Sequence, residues 1–448
     1  MLSESITDVD REAGSAMYQW LTDLFPICRS LTGAGVRQTL AYLQQLLPDL
    51  AIRGVPSGTS AFDWTVPPEW NIRAAWLEHE SGERVVDFAD HNLHLMGYSE
   101  PIDRWLDLEE LQPHLFSLPE QPDAIPYITS YYRRNWGFCL SHRQREQLRP
   151  GRYRAVIDST LEPGELNYGE LIIPGTSSQE LLLSTYVCHP SMANNELSGP
   201  VLATALAQYI AGLSDRRLGV RVLFVPETIG AITYLSQHLD ELKAKVAAGF
   251  VLTCVGDERA VSYLESRYGD TLADRVARHV LRHHAPDHHV YPYTERGSDE
   301  RQYGSPGIEL PVCSVMRSKY ATYPEYHTHL DDLGLVTPTG LAGSFALYRR
   351  MIDVLQANAI WRTACLAEPQ LGKRGLYPTT STKDTHRIVK LQMNILAYSD
   401  GRHDLLGIAD RLGADFADCH ATALRLEAGG VLRRLASTTD SSLVHSTC

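Results

Sequence analysis

Hydrophobic positions change their rhythm several times along the chain. Between residues 12 and 47, Ala16-Met17, Trp20-Leu21 and Leu24-Phe25 form one helical stripe, and Val36, Leu40, Leu43 and Leu47 form another. Leu31-Thr32-Gly33-Ala34-Gly35 separates them as a turn. From about Val55 the texture turns to Pro, Gly and Trp with short alternating segments. Ile72–Leu77 and Arg84–Phe88 read as strands of a small β-rich unit running to about residue 102, and Asp107–Gln112 as a short helix stopped by Pro113. Ala124–Gly137 is dense in aromatics with two arginines, a composition that suits a binding wall and an aromatic core strand equally.

From Tyr153 onward, apolar runs alternate with helical periods. Strands are expected at Arg154–Asp158, Gly169–Ile173, Leu181–Val187, Val220–Val225, Gly249–Val255 and Leu310–Met316. Helices are expected at Gly199–Leu213, Ile229–Ala247, Thr271–His284 and Thr339–Leu355. Continuous apolar strands imply a sheet covered by helices on both faces, an α/β architecture. Ala367–Asp384 reads as a linker. Beyond it, Ile388–Leu396, Asp404–Leu412 and His420–Ala428 have helix-turn-helix rhythm.

At 448 residues the chain has room for two or three domains. Its net charge of -13 argues against general nucleic-acid or anionic-membrane binding, since both need a basic face. No basic-then-apolar leader opens the sequence and no run reaches membrane-span length, so a cytoplasmic protein is expected. Eight scattered cysteines without CxxC pairs fit reduced, mostly buried thiols. The second and third helices of the helix-turn-helix segment carry Asp410, Asp415, Asp418 and Glu427 with few basic residues, which favours a structural or interaction module over a DNA reader.

Candidate chemistry gathers at strand ends. Leu181–Val187 runs into Cys188-His189-Pro190, where proline ends the ladder and leaves a histidine at the mouth of a loop. Val220–Val225 leads to Glu227, and Gly249–Val255 to Asp257. Leu310–Met316 leads to Tyr326, His327, His329, Asp331 and Asp332. Two histidines and a carboxylate from separate strand ends fit a zinc site with one position open for water. Taken singly, His189 is more often a capping or hydrogen-bonded histidine than a ligand, and Glu227 or Asp331 a cap of the following turn.

The order CHPS…NNELSG, PETIG, GSDERQYGSPGIELP and EYHTHLDDL resembles the co-catalytic zinc aminopeptidases of metallopeptidase clan MH. More closely, with LHLMGYSEPI and IPYITSYYRRNWGFCLS, the chain resembles a bacterial aminopeptidase-like family. That family has a β-rich domain inserted near its N-terminus and a winged-helix-like domain at its C-terminus. The resemblance implies a mixed-sheet core made of residues 1–50 and 122–362, an insert over 51–121, and a winged-helix-like domain over 385–448. It implies a zinc-dependent hydrolase cleaving an amide bond of a small peptide or amino-acid conjugate, in a biosynthetic pathway. The competing expectation is a metal-poor or inactive aminopeptidase-like binding protein.

In the family pattern His189 and His327 bind zinc, and Glu227 is base or ligand. Where an aspartate normally binds or bridges the metals stands Asn195, with Glu196 beside it as the alternative ligand. The histidine motif His189-Pro190-Ser191 lacks the acidic residue that usually orients it, the usual double glutamate is Glu227-Thr228, and the remaining carboxylate ligand falls to Asp257. One zinc is therefore expected, with two the alternative. Asp331 joins Glu227 as a catalytic candidate. Glu196, Asp299, Glu300 or the pair Asp331-Asp332 are candidates to hold a substrate amine. Arg133, Arg134 and tyrosines 131, 132, 323 and 326 are candidates for a carboxylate or other polar group. The stretch RHVLRHHAPDHH is set aside as exposed histidines. No nucleic acid or membrane is expected as a partner, and homo-oligomerisation stays open.

Overall fold

The structure, a computed structural model, describes residues 6–131, 133–377 and 383–435. Tyr132, part of the expected linker (378–382) and the last residues of the expected C-terminal domain (436–448) lie outside them. Contacts divide the chain into two compact units. The first runs up to Arg275 and resumes over Asp287–Arg349; the second takes Val276–Pro286 and the chain from Arg350 on.

The first unit is built on an eight-stranded mixed sheet, in the order Ala51–Pro56, Glu165–Ile173, Gly219–Val225, Glu180–Tyr186, Val246–Val251, Val312–Met316, Ser262–Leu264 and His289–Tyr291. The four strands from Gly219–Val225 through Val312–Met316 are mutually parallel, so their carboxyl ends share one edge. Leu181, Leu182, Leu183, Val220, Val222, Phe224 and Phe250 are fully buried, because helices cover both faces of the sheet. Each such side chain contributes about 1.5–3 kcal/mol through its removal from water.

A second sheet of four strands lies in the order Arg84–Asp87, Glu69–His79, Arg152–Glu162 and Ile102–Asp107. Its longest pairing joins Glu69–His79 to Arg152–Glu162, a segment that local pattern assigned to the strand–helix alternation. Ala51–Pro56, in turn, is an edge of the large sheet. The helix Ser198–Ala211 packs so closely that a Cβ on Gly199 would lie 2.2 Å from the Leu252 carbonyl oxygen. Only glycine allows that approach.

In the second unit, helices Lys383–Tyr398, Leu405–Leu412 and Phe416–Ala428 accompany a three-stranded sheet of Asp400–Asp404, Ile360–Thr363 and Leu432–Arg434. These strands are short and carry little apolar alternation, which hid them in the sequence. The histidines set aside as exposed prove partly structural. His279 is buried, with Nδ1 at 2.8 Å from Asp410 and Nε2 accepting the Phe416 N–H, and His284 pairs with Asp415 at 2.9 Å. The seven described cysteines are free. Among the described residues no helix is long and apolar enough to cross a membrane.

Candidate metal centre

His189 stands three residues past the strand Glu180–Tyr186, at the shared carboxyl edge of the parallel strands. The chain then turns through a single π-helical turn, Ala193–Leu197, into the helix Ser198–Ala211. That turn folds Glu196 back, so that its Oε2 lies 2.7 Å from His189 Nδ1. The carboxylate missing two residues after the histidine is thus supplied seven residues after it. That hydrogen bond orients the ring so that Nε2 faces the open side, 3.5 Å from Glu227 Oε2. Burial works against a charged His189, but the hydrogen bond and charge of Glu196, with the charge of Glu227, outweigh it and raise its pKa.

Asp331 secures the turn from the opposite loop. Its carboxylate accepts the backbone N–H groups of Asn194 (2.6 Å) and Asn195 (2.9 Å) and the Tyr323 hydroxyl, and its carbonyl accepts Ala193 N–H. Burial nevertheless pushes its pKa up to about 6. These bonds cap the turn Ala193–Leu197, which is remote in sequence, and not the turn that follows Asp331.

Asn195 is oriented by a closed ring of donors. Its Nδ2 donates to the Tyr186 hydroxyl (2.9 Å), which donates to Thr253 Oγ1 (2.5 Å), which donates to the Asn195 carbonyl (3.1 Å). The amide oxygen is left buried and without a partner. His327, held at φ 57°, likewise has a buried, unpartnered Nε2. Its ring stacks on Tyr326 at 3.9 Å and lies 5.6 Å from the His189 ring, and Tyr127 flanks both imidazoles at 5.0 and 5.2 Å. Burial, then the charge of His189, lowers the His327 pKa to about 3, so it stands as a neutral acceptor.

Glu227 sits beyond the strand Gly219–Val225, its N–H donating to Cys188 Sγ at 3.2 Å. Burial raises its pKa against the opposing charges of His189 and Arg301. Asp299 is fully buried, with Oδ1 accepting Thr228 N–H (2.8 Å) and Oδ2 unpartnered; burial and the charge of Glu227 hold its pKa well above the carboxylate range.

The remaining candidates lie otherwise. Asp257 is consumed by Asn194 Nδ2, the Ser318 N–H and hydroxyl, and Arg259 N–H. Glu300 Oε1 accepts from Gly297, Ser298 and Tyr320. Arg133 and Arg134 are exposed, and Arg134 pairs with Glu100 at 3.5 Å. Sequence reasoning missed Arg29, which is buried and donates to the His189 carbonyl (2.9 Å) and the Leu24 carbonyl, with Nε 3.8 Å from Glu196. Its one signal was an arginine inside the otherwise uncharged segment PICRSLTG.

Cys188, His189 and Glu196 offer three ligand-type atoms within 4.8 Å of one another. Glu196 Oε2 is engaged by His189 Nδ1, and burial, then the charges of Glu196 and Glu227, keep the Cys188 thiol neutral. His327 Nε2, Asn195 Oδ1 and Glu196 Oε1 are buried acceptors without a hydrogen-bond partner, and Arg29 Nε lies 3.8 Å from Glu196 Oε1. An orphaned buried acceptor is costly unless something fills it, and imidazole and oxygen donors of this kind suit zinc.

Residues 18–358 match a family described as a domain of unknown function (DUF4910), and residues 359–434 match a winged helix-turn-helix family. A Clostridium acetobutylicum protein, provisionally named a polysaccharide biosynthesis protein with aminopeptidase-like domain, is 44% identical over 409 residues, 90% of this chain and 93% of that protein. A crystal structure from the same organism, provisionally named a peptidase, superposes with a TM-score of 0.90 at 42% identity, covering 95% of this chain and 97% of that one. BSAP, a zinc aminopeptidase from Bacillus subtilis, shares the fold at a TM-score of 0.55 and 10% identity, covering 77% and 94%.

Proposed function

The chain belongs to the DUF4910 family, and from that premise and the geometry of the site we propose that it is a zinc-dependent hydrolase of aminopeptidase type. The observation that carries the reading is the pair of buried, unpartnered acceptors, His327 Nε2 and Asn195 Oδ1, together with a His189 that Glu196 orients so that its Nε2 faces Glu227. A single zinc bound there supplies a Lewis acid for the carbonyl and lowers the pKa of water.

The chain's own residues do the rest. Glu227 takes the proton of the attacking water and gives it to the leaving amine, a role favoured by its raised pKa. Asp299, whose Oδ2 is buried and unpartnered behind the Glu227–Thr228 turn, is the group we assign to the substrate amine. Tyr127 and Tyr326 line the imidazoles and exclude water. The name of the Clostridium relative supports an amino-acid conjugate made in a biosynthetic pathway as substrate, in preference to peptides at large. We place the protein in the cytoplasm, where free thiols persist. The winged-helix unit is proposed as an association module.

Amine release from dipeptides and aminoacyl amino-sugar amides, with zinc added, tests the reading. The wild type is expected to cleave at least one conjugate, and Glu227→Gln to be slower by about 10²–10⁴-fold. Zinc-loaded protein that cleaves none of them would contradict it.

A further inference from the structure

Between Glu227 and the helix Ile229–Lys245 the chain makes a turn that few residues adopt. Thr228 has φ 64° and ψ -79°, and Ile229 N–H donates to the Glu227 carbonyl at 2.8 Å. A hydrogen bond spanning three residues with positive central φ defines the rarer, strained form of the γ-turn. Threonine is among the worst residues for it, because branching at Cβ crowds the backbone at positive φ. Such a conformation persists only where surrounding contacts over-determine it.

Those contacts are present on every side. Thr228 N–H donates to Asp299 Oδ1 at 2.8 Å, and Arg301 Nη2 donates to Thr228 Oγ1 at 2.7 Å. On the other flank, Glu227 N–H donates to Cys188 Sγ at 3.2 Å. The strain is not scattered at random either. Of the nine described non-glycine residues with positive φ, Ser191, Thr228, Cys254, Ala321 and His327 stand in the loops after the four parallel strands.

We infer that Thr228 and Arg301 are positioning residues: their hydrogen bond holds the strained turn that aims the Glu227 carboxylate at His189 Nε2. This rests on reading Glu227 as the proton-carrying group. Without the bond, the turn relaxes to negative φ and the carboxylate swings off the imidazole. The hydroxyl carries the effect, so a side chain of the same shape without it fails, and a smaller one with it succeeds.

Crystal structures and thermal melting of metal-free Thr228→Val, Thr228→Ser and Arg301→Gln test the inference. In Thr228→Val and Arg301→Gln, residue 228 is expected at negative φ, with Glu227 Oε2 farther from His189 Nε2 than the 3.5 Å found here, and Tm unchanged or higher as strain is released. Thr228→Ser is expected to keep both the turn and the distance. If Thr228→Val does not fold, Arg301→Gln decides alone. A turn and a Glu227 position unchanged in Arg301→Gln would overturn the inference. Because the distance is read without metal or substrate, a wild type that proves catalytically inert would sink the hydrolase reading and leave this result standing.

Discussion

Glu196 Oε2 and His189 Nδ1 lie 2.7 Å apart, and that one contact decides which atom of the imidazole faces the site. The ring is held by its Nδ1, and Nε2 is turned towards Glu227. We read Glu196 as an orienting group and not as a ligand. Glu196→Gln is expected to weaken zinc binding about 10–100-fold, read by calorimetry, while the saturating zinc count stays the same. A lower count at saturation would make Glu196 a ligand.

Arg29 closes the far side of the same group. It is 1% exposed, and its removal leaves the His189 carbonyl and Glu196 buried without their cation. Arg29→Met is expected to lower stability by about 3–5 kcal/mol in denaturant titration. A loss below about 1 kcal/mol would mean that water reaches the pair.

The second sheet is tied to the helix Ala34–Leu46 by Arg37 and Glu69, at 2.6 and 3.0 Å. The hydrogen bonds from Arg37 hold the Glu69 pKa down to about 2. A depressed carboxylate contributes stability above its unfolded pKa and loses it as pH falls through the folded value. The melting difference between wild type and Glu69→Gln is therefore expected to be constant above about pH 5 and to vanish towards pH 2. A difference that does not change over that range would show that the charge is irrelevant.

Winged-helix domains often bind DNA, but here the exposed face of Phe416–Ala428 carries Asp418, Arg425 and Glu427, a net negative set. Non-specific affinity comes from phosphate neutralisation. Anisotropy titration of the full chain with duplex DNA at low salt is expected to show no submicromolar binding. Salt-sensitive submicromolar binding would reverse the assignment.

The sheet edge was legible because its strands are continuous apolar runs ended by Pro190, Pro226 or polar loops. What local pattern does not carry is pairing. Nothing in Arg152–Glu162 tells which sheet it joins, since that depends on a partner some eighty residues earlier. Glu196 was visible as a carboxylate beside Asn195, but its role needed the π-helical turn that swings it back onto His189. Arg29 acts on a histidine 160 residues away, and no periodicity reports such a contact. Thr228 looked only like a lost carboxylate; its strained backbone is invisible in sequence.

The central claim is one zinc held by neutral donors, and the zinc content of purified, zinc-equilibrated protein tests it most directly. A bridging carboxylate offsets the mutual repulsion of two cations, and Asn195 cannot. Elemental analysis is expected to find one zinc per chain in the wild type, less in His327→Ala, and no fewer in Asn195→Asp than in the wild type. Equal zinc in wild type and His327→Ala, or two zincs in the wild type, would contradict it.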